Sequence, residues 1–460
     1  MHNNPINNSV LILIPEKTDG DSINDFPDFN AKMIAKYFMN SRIFYCHDSI
    51  ILNGAKKTEH DIEKTVSENN ISIVFFAPNG SDYGLCIEFF RRLKDQTGAK
   101  TVLWVLDDEM IFDTLSKYYC QAFDAVVTCD YYATYAYQKL GIPSLYYFSS
   151  YSKSDFHPVE ANKDIDVSFV GDCTKSDRIE YMNFLKENGI SVEIFGKGST
   201  SGFVKKELLS EIFSRTKINL NFTKVHSPSV YAWFLEDDPI INLVRQNKGR
   251  PMEVAMTNSF CLSEYSPSLA VTFEIGRDID VFYDKADLLE KIRYYLENED
   301  IRVQMANNAY QKAVNVYEAG IFIPGLLESL CDILANRKYL QGQSKIFKNS
   351  IFKKNHINKL TSTMFRQLLK LRLGPALETF TNLFQYGFGI FLISFVRGTK
   401  RGLARVYLGI KEKYGKKRSA GFLPNKITQI DSKKSSVMAE MGSKERHGIS
   451  IRLEREYESV

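Results

Sequence analysis

The strongest constraint on this chain is a rhythm that runs once and then starts again. Short apolar runs bounded by turn residues alternate with helical patterns, the signature of βα units feeding parallel sheets. Strands are expected at VLILI (10–14), ISIVFFA (71–77), TVLWVL (101–106), DAVVT (124–128) and SLYYF (144–148). Between them, Asp28 to Phe38 sets Met33, Ile34, Tyr37 and Phe38 on one helical face, and the helix Tyr131 to Leu140 is stopped by Gly141 and Pro143. After the turn-rich SSYSKSDFHP the pattern restarts with DVSFVG (166–171), VEIFG (192–196), KINLNF (217–222), FCLS (260–263) and IDVF (279–282). Helices at Asp300 to Tyr317 and Ile321 to Leu334 are expected to close this second unit.

The expected fold class is therefore α/β, with two Rossmann-like, doubly wound parallel-sheet domains facing a cleft. A length of 460 residues fits two cores plus an appendage. The divisions fall at 1–155 for the first domain, 156–335 for the second, 336–418 for a basic, partly helical extension and 419–460 for a polar tail. From Lys345 to Arg418 there are seventeen Lys and Arg against two Glu, a run suited to an anionic surface. The apolar stretch YGFGIFLISFV (386–396) is shorter than the roughly 20 residues needed to span a bilayer, so an interfacial contact is expected there. The seven cysteines are scattered, with no CxxC pair and no His at ligand spacing. That pattern argues against a zinc site and a disulfide framework and points to a reducing, cytoplasmic compartment. The first residues, MHNNPINNSVLILIPEK, lack a basic stretch and look like a first strand.

The candidate functional residues cluster where strands end. Gly171 closes the first strand of the second unit, and the helix expected from about Ser176 presents free N–H groups beside it, a geometry suited to phosphate. Arg178 lies in that first turn and could pair with phosphate or be an ordinary solvated arginine. The turn Gly196-Lys197-Gly198 follows the next strand and could admit a ligand or be glycine-rich for steric reasons alone. Lys217, Asn219 and Asn221 share one strand face and need partners, supplied by a ligand or by neighbouring elements. In GRPMEV, Pro251 fits a first helical position, which puts Arg250 and Glu253 at a helix N-terminus. They could bind phosphate and ribose hydroxyls, or simply pair with each other. Asn258 stands where a left-handed residue ends that helix. The segment 226–247 brings His226, Tyr231, Trp233, Glu236, Asp237 and Asp238 either to the cleft or to a surface excursion. In the first unit, Asp107 and Asp108 follow a strand at its carboxyl end, as a general base for an acceptor hydroxyl or as a helix cap.

The ordered set DVSFVGDCTKSDR, VEIFGKG, SRTKINLNFT, KGRPMEVAMTNSFCLSE and DLLEKIRYYLENEDIRVQMANNAYQKAV resembles the CgeB-like glycosyltransferases and, more distantly, retaining enzymes of the GT-B fold. The resemblance implies a GT-B outline and transfer of a sugar from a nucleotide-diphosphate-sugar (UDP- or GDP-sugar) to a hydroxyl of a glycan, lipid-linked or protein acceptor. It implies no metal and no permanently bound cofactor. Glu253 matches the ribose-binding Glu of the family helix. The paired Glu of many retaining members, separated from it by seven intervening residues, falls at Arg245, so that motif is absent. The expected partners are the donor, the acceptor and an anionic membrane surface through residues 345–418, with no nucleic acid; the expected location is cytoplasmic, at the inner face of the cell membrane. Two other readings remain open at this point. One is a metal-dependent GT-A enzyme using Asp107-Asp108-Glu109, and the other a catalytically silent nucleotide-sugar-binding scaffold at a membrane.

Overall fold

The computed structural model describes residues 6–17, 26–78, 84–147, 149–199, 202, 204–225, 244–336, 350–384, 389, 392, 395 and 396. Most of the 226–247 segment, most of 386–396 and the whole polar tail lie outside these residues.

Two parallel sheets organise the chain. The first contains β1 (Ile6–Ile14), β2 (Phe38–Tyr45), β3 (Ile73–Phe76), β4 (Lys100–Val105), β5 (Ala125–Thr128) and β6 (Ser144–Tyr146), in the order β2-β1-β3-β4-β5-β6. The second contains β7 (Ile165–Val170), β8 (Glu193–Phe195), β9 (Thr216–Asn221), β10 (Cys261–Glu264) and β11 (Asp280–Phe282), in the order β11-β10-β9-β7-β8. Every pairing between these strands is parallel. In each sheet the chain leaves its first strand on one side and returns on the other. A crevice therefore opens at the carboxyl ends of β1 and β3, and again at those of β7 and β9.

The central strands are apolar on both faces because helices cover both. On one face of the first sheet, Leu11, Leu13, Val74, Phe76, Leu103 and Val126 pack on Ile62, Phe90 and Leu93. On the other, Ile12, Phe75, Trp104 and Val127 pack on Ala31, Ile34, Ile323, Leu327 and Leu330. The last three belong to the helix Ala319–Asn336. The sequence placed this helix as a lid on the second unit, but its apolar stripe lies on the first sheet. Glu318 bridges Tyr151 and the Ala319 amide donates to the Tyr151 carbonyl (3.1 Å), so the chain crosses between the sheets twice, side by side. By length and composition this helix could span a bilayer, yet its buried face is committed to the sheet.

The strand β2, absent from the sequence reading, is an edge strand. Its FMNSRIFY sequence is exposed from Met39 to Arg42, so no continuous apolar run signals it. Beyond residue 350 the basic extension forms two helices, Ser350–Leu369 and Leu373–Phe384, which pack together through Ile357, Leu360, Met364, Ala376 and Leu383. They dock on the first domain. Gln367 Nε2 donates to the Ile50 carbonyl (2.9 Å), and Arg366 pairs with Glu16 (2.7 Å). His47, pushed down to about 4 by burial, keeps a neutral ring that meets Glu16 through Nδ1 (2.7 Å). That hydrogen bond and Arg366 hold Glu16 down at about 2.

Candidate functional site

The carboxyl edges of both sheets carry charge, and the charge differs in sign. At the second sheet, Gly171 follows β7 and the helix Ser176–Glu187 begins five residues later. Arg178, in its first turn, is buried at 6% exposure. Its guanidinium lies 5.3 Å from the Phe169 ring and 5.9 Å from the Phe222 ring, and donates through Nη1 to the Asp172 carbonyl (2.7 Å). Its Nε finds no partner among the described residues. Lys175 is pushed down to about 8, first by burial and then by Arg178 and Lys248. Lys248, just before the helix Arg250–Met256, is also lowered by burial, an effect that the nearby carboxylates of Asp107 and Glu109 oppose and Arg178 reinforces. Three cations are therefore gathered beside the β7 to β9 crevice, with Asp172 and Asp177 near Lys175 and Arg178, and Asp107 and Glu109 near Lys248. Lys224, just past β9, adds a fourth and lies 3.8 Å from Asp177. Like charges brought together out of water favour an anion that would relieve them.

The glycine turn has a steric explanation. Gly196 has φ +124°, and a Cβ there would sit 2.4 Å from the Gly171 carbonyl oxygen, so the two loops touch through backbone alone. Lys197 points outward, 4.0 Å from Asp172. Lys217 must be removed from the site. It lies at the amino end of β9, opposite the crevice, in an exposed ion pair with Asp166 (2.6 Å). Strand alternation gave its face correctly and said nothing of which end it occupied. Asn219 accepts from Ser168 Oγ (3.3 Å) and donates to the Phe213 and Phe260 carbonyls (both 3.3 Å). Asn221 donates to Ser263 Oγ (2.8 Å). Asn219 is used up within the sheet, whereas Asn221, the last residue of β9, commits one N–H to Ser263 and keeps its place at the crevice end.

Arg250 and Glu253 occupy the first turn of their helix, with Pro251 at its start. They form an ion pair with each other, and Glu253 also accepts from Tyr151 Oη (2.9 Å). A Cβ on Gly249 would come within 2.4 Å of that same phenol oxygen, which is why the residue before Arg250 has no side chain. Asn258 takes φ +53°, as the helix end requires. Arg245, at the position of the missing family Glu, pairs with Glu264 (3.1 Å), a buried residue at the end of β10. Glu264 in turn accepts from the Thr223 and Lys224 amides (both 2.8 Å). Beside this pair lies a pocket of about 280 Å³, lined by Arg245, Glu264, Tyr265, Pro267, Phe282 and Tyr283.

At the first sheet the edge is acidic. Asp108 is buried, accepts from Thr128 Oγ1 (2.6 Å), Tyr137 Oη (2.8 Å) and Ser116 Oγ, and burial raises it to about 6. Thr128 and Tyr137 tie it to β5 and the following helix, and Ser116 to the helical segment just after it, so Asp108 holds the loop and is withdrawn as a base. Asp107 accepts from Gln246 Nε2. Glu109 accepts from the Asn247 amide (2.8 Å), and burial with the nearby Asp130 pushes it up to about 8. Asp107 and Glu109 both face the Gln246-Asn247 segment, whereas Asp108 turns away to its three hydroxyls. Among the described residues no group of three or more His, Cys, Asp or Glu could hold a metal ion. The GT-A outline does not match the fold, which has two parallel sheets where that reading calls for one.

Lys175, Lys248 and Glu264 were missed in the sequence as site residues, and Glu109 was named there only as part of the metal-dependent alternative. All four lie at or just beyond strand ends or helix starts on the crevice edge, and position, not residue type, is the signal that finds them.

A family model described as glycosyl transferase-like matches residues 177–319. The match covers Arg178, Lys248, Arg250, Glu253 and Glu264. Among solved structures, the chain is similar in fold to Anabaena HepE in complex with UDP (8% identity, TM-score 0.51), covering 70% of this chain and all of that one. It is likewise similar to sucrose-phosphate synthase from Thermosynechococcus elongatus (8% identity, TM-score 0.50), covering 72% of this chain and all of that one. These likenesses establish the GT-B arrangement of two parallel-sheet domains. No curated protein matches the sequence.

Proposed function

We propose that the protein transfers a sugar from a nucleotide-diphosphate donor to an acceptor hydroxyl, without a metal. The observation that carries this reading is the convergence of Lys175, Arg178 and Lys248 on the β7 to β9 crevice, inside or bordering the segment that matches the glycosyl transferase-like model. In glycosyl transfer an oxocarbenium-like sugar separates from a diphosphate that gains negative charge. Cations and helix N–H groups already aimed at that charge stabilise it without reorganising. The pocket beside Arg245 and Glu264 gives the donor's base or sugar a place next to the diphosphate. Glu253 reaches a ribose by exchanging Tyr151 or Arg250 for its hydroxyls. Across the cleft, Asp107 and Glu109 are the carboxylates placed to receive the acceptor proton. A group held near pH 8 suits that task better than an ordinary carboxylate. UDP leads the list of donors to try, because it occupies the HepE relative.

The test is calorimetric titration of the full chain with UDP, GDP, ADP, CMP and TDP and their sugars, in excess EDTA, followed by donor hydrolysis or transfer assays. Binding and turnover that survive EDTA are expected. Turnover lost in EDTA and restored by Mn²⁺ would remove the metal-free part of the proposal. Binding of no nucleotide would remove the whole.

A further inference from the structure

The hairpin made by Ser350–Leu369 and Leu373–Phe384 is apolar where it should be polar. Its inner face is satisfied by Ile357, Leu360, Met364, Ala376 and Leu383, and by the bonds to Ile50 and Glu16. The connecting turn is not. Leu369, Leu371, Leu373 and Leu377 are 79%, 83%, 69% and 64% exposed. Leu371 also has φ +56°. It ends the first helix in a left-handed cap, where the Arg372 amide donates to the Gln367 carbonyl (2.8 Å). A soluble turn fills such a position with Gly or Asn, since any larger side chain is strained there and a leucine adds apolar exposure. Lys370 and Arg372 alternate with the leucines and are exposed. No Asp or Glu occurs from Ile333 to Leu377.

We propose that this turn is a wedge for an anionic lipid surface. Leu369, Leu371, Leu373 and Leu377 enter the boundary between headgroups and acyl chains, while Lys370 and Arg372 extend to the lipid phosphates on flexible apolar stems. The alternation decides for lipid over a protein groove. A groove deep enough for the leucines would also desolvate two cations that are exposed and carry no ion pair among the described residues, whereas a headgroup layer offers them anions at every position. The wedge sits at a useful edge. Arg366, one helical turn before Lys370, pairs with Glu16, two residues beyond the end of β1 and so at the same edge of the first sheet as Asp107.

Full-length protein is sedimented with vesicles of phosphatidylcholine alone and of equal parts phosphatidylcholine and phosphatidylglycerol. The expected result is binding to the anionic vesicles only, weakened about tenfold by Leu371→Gly and further by Leu369→Ser with Leu373→Ser. Leu371→Gly relieves backbone strain at an exposed site, so its melting temperature should equal or exceed the parent's and loss of binding there cannot be misfolding. Lys370→Glu with Arg372→Glu should abolish the preference for anionic vesicles. Parent-like binding by both leucine variants would overturn the proposal, as would equal binding to both vesicle types. A parent that dimerises through the leucines, becomes monomeric in Leu371→Gly and ignores vesicles would overturn it in favour of a second copy of the chain. Sedimentation needs no turnover, so its failure leaves the transferase proposal standing.

Discussion

The two sheet edges that meet at the cleft are built to one plan and charged in opposite senses. The edge after β4 and β5 gathers Asp107, Asp108, Glu109 and Asp130, whereas the edge after β7 and β9 gathers Lys175, Arg178 and Lys224, with Lys248 between the two. In both, burial works against the charge: Glu109 is driven up to about 8 and Lys175 down to about 8. The opposition divides labour. The basic edge is suited to hold an anionic leaving group, and the acidic edge to take a proton.

Four experiments can break or sharpen this contrast. The largest effect is expected from Glu109→Gln, which should lower turnover by about 10²–10⁴-fold while leaving donor affinity unchanged. Its stability should show the opposite sign. A carboxyl raised from 4.5 to about 8 by folding opposes the folded state increasingly as pH rises between those values, so the variant should gain stability at pH 9 relative to pH 5. Next, Lys175→Met should weaken donor diphosphate binding by about tenfold to a hundredfold, read by calorimetry. In the parent, affinity should hold below pH 8 and fall above it as Lys175 loses its proton; in the variant that fall should be reduced. Asp108→Ala tests the acidic edge as structure. Leaving the Ser116, Thr128 and Tyr137 hydroxyls without their acceptor should cost about 3 kcal/mol of unfolding free energy, with donor affinity intact. Lys217→Ala should do least, shifting donor affinity less than about twofold, because an exposed ion pair at the far end of β9 has no route to the crevice.

Much of the fold was legible because alternating apolar runs and helical stripes report directly on burial. All five strands of the second sheet and five of six in the first follow from them, and the exception, β2, is exposed from Met39 to Arg42. Which surface a stripe covers is a different matter. The helix Ala319–Asn336 is readable as half-buried from Ile323, Leu327 and Leu330, but only the three-dimensional chain path says that the first sheet receives it. The site divides in the same way. Arg250, Glu253 and Arg178 carry local signals, a helix start or a strand-helix junction, and stand where those signals put them. Lys175 and Lys248 become noteworthy only because parallel topology brings them to one crevice, and Lys217 lost its candidacy for the converse reason.

The side-by-side crossings at Tyr151 and Glu318 also decide how the molecule can be taken apart. The second sheet and its helices form one uninterrupted piece of chain, roughly 156 to 317, that could be cut out whole and made alone. The first sheet cannot be had from residues 1–155, since one of its faces is finished by chain translated after the second domain. Its partner helix arrives late, and a ribosome releasing the first half early would leave the Ile12, Phe75 and Trp104 surface covered only by the Ala31 and Ile34 helix until residue 334 had followed.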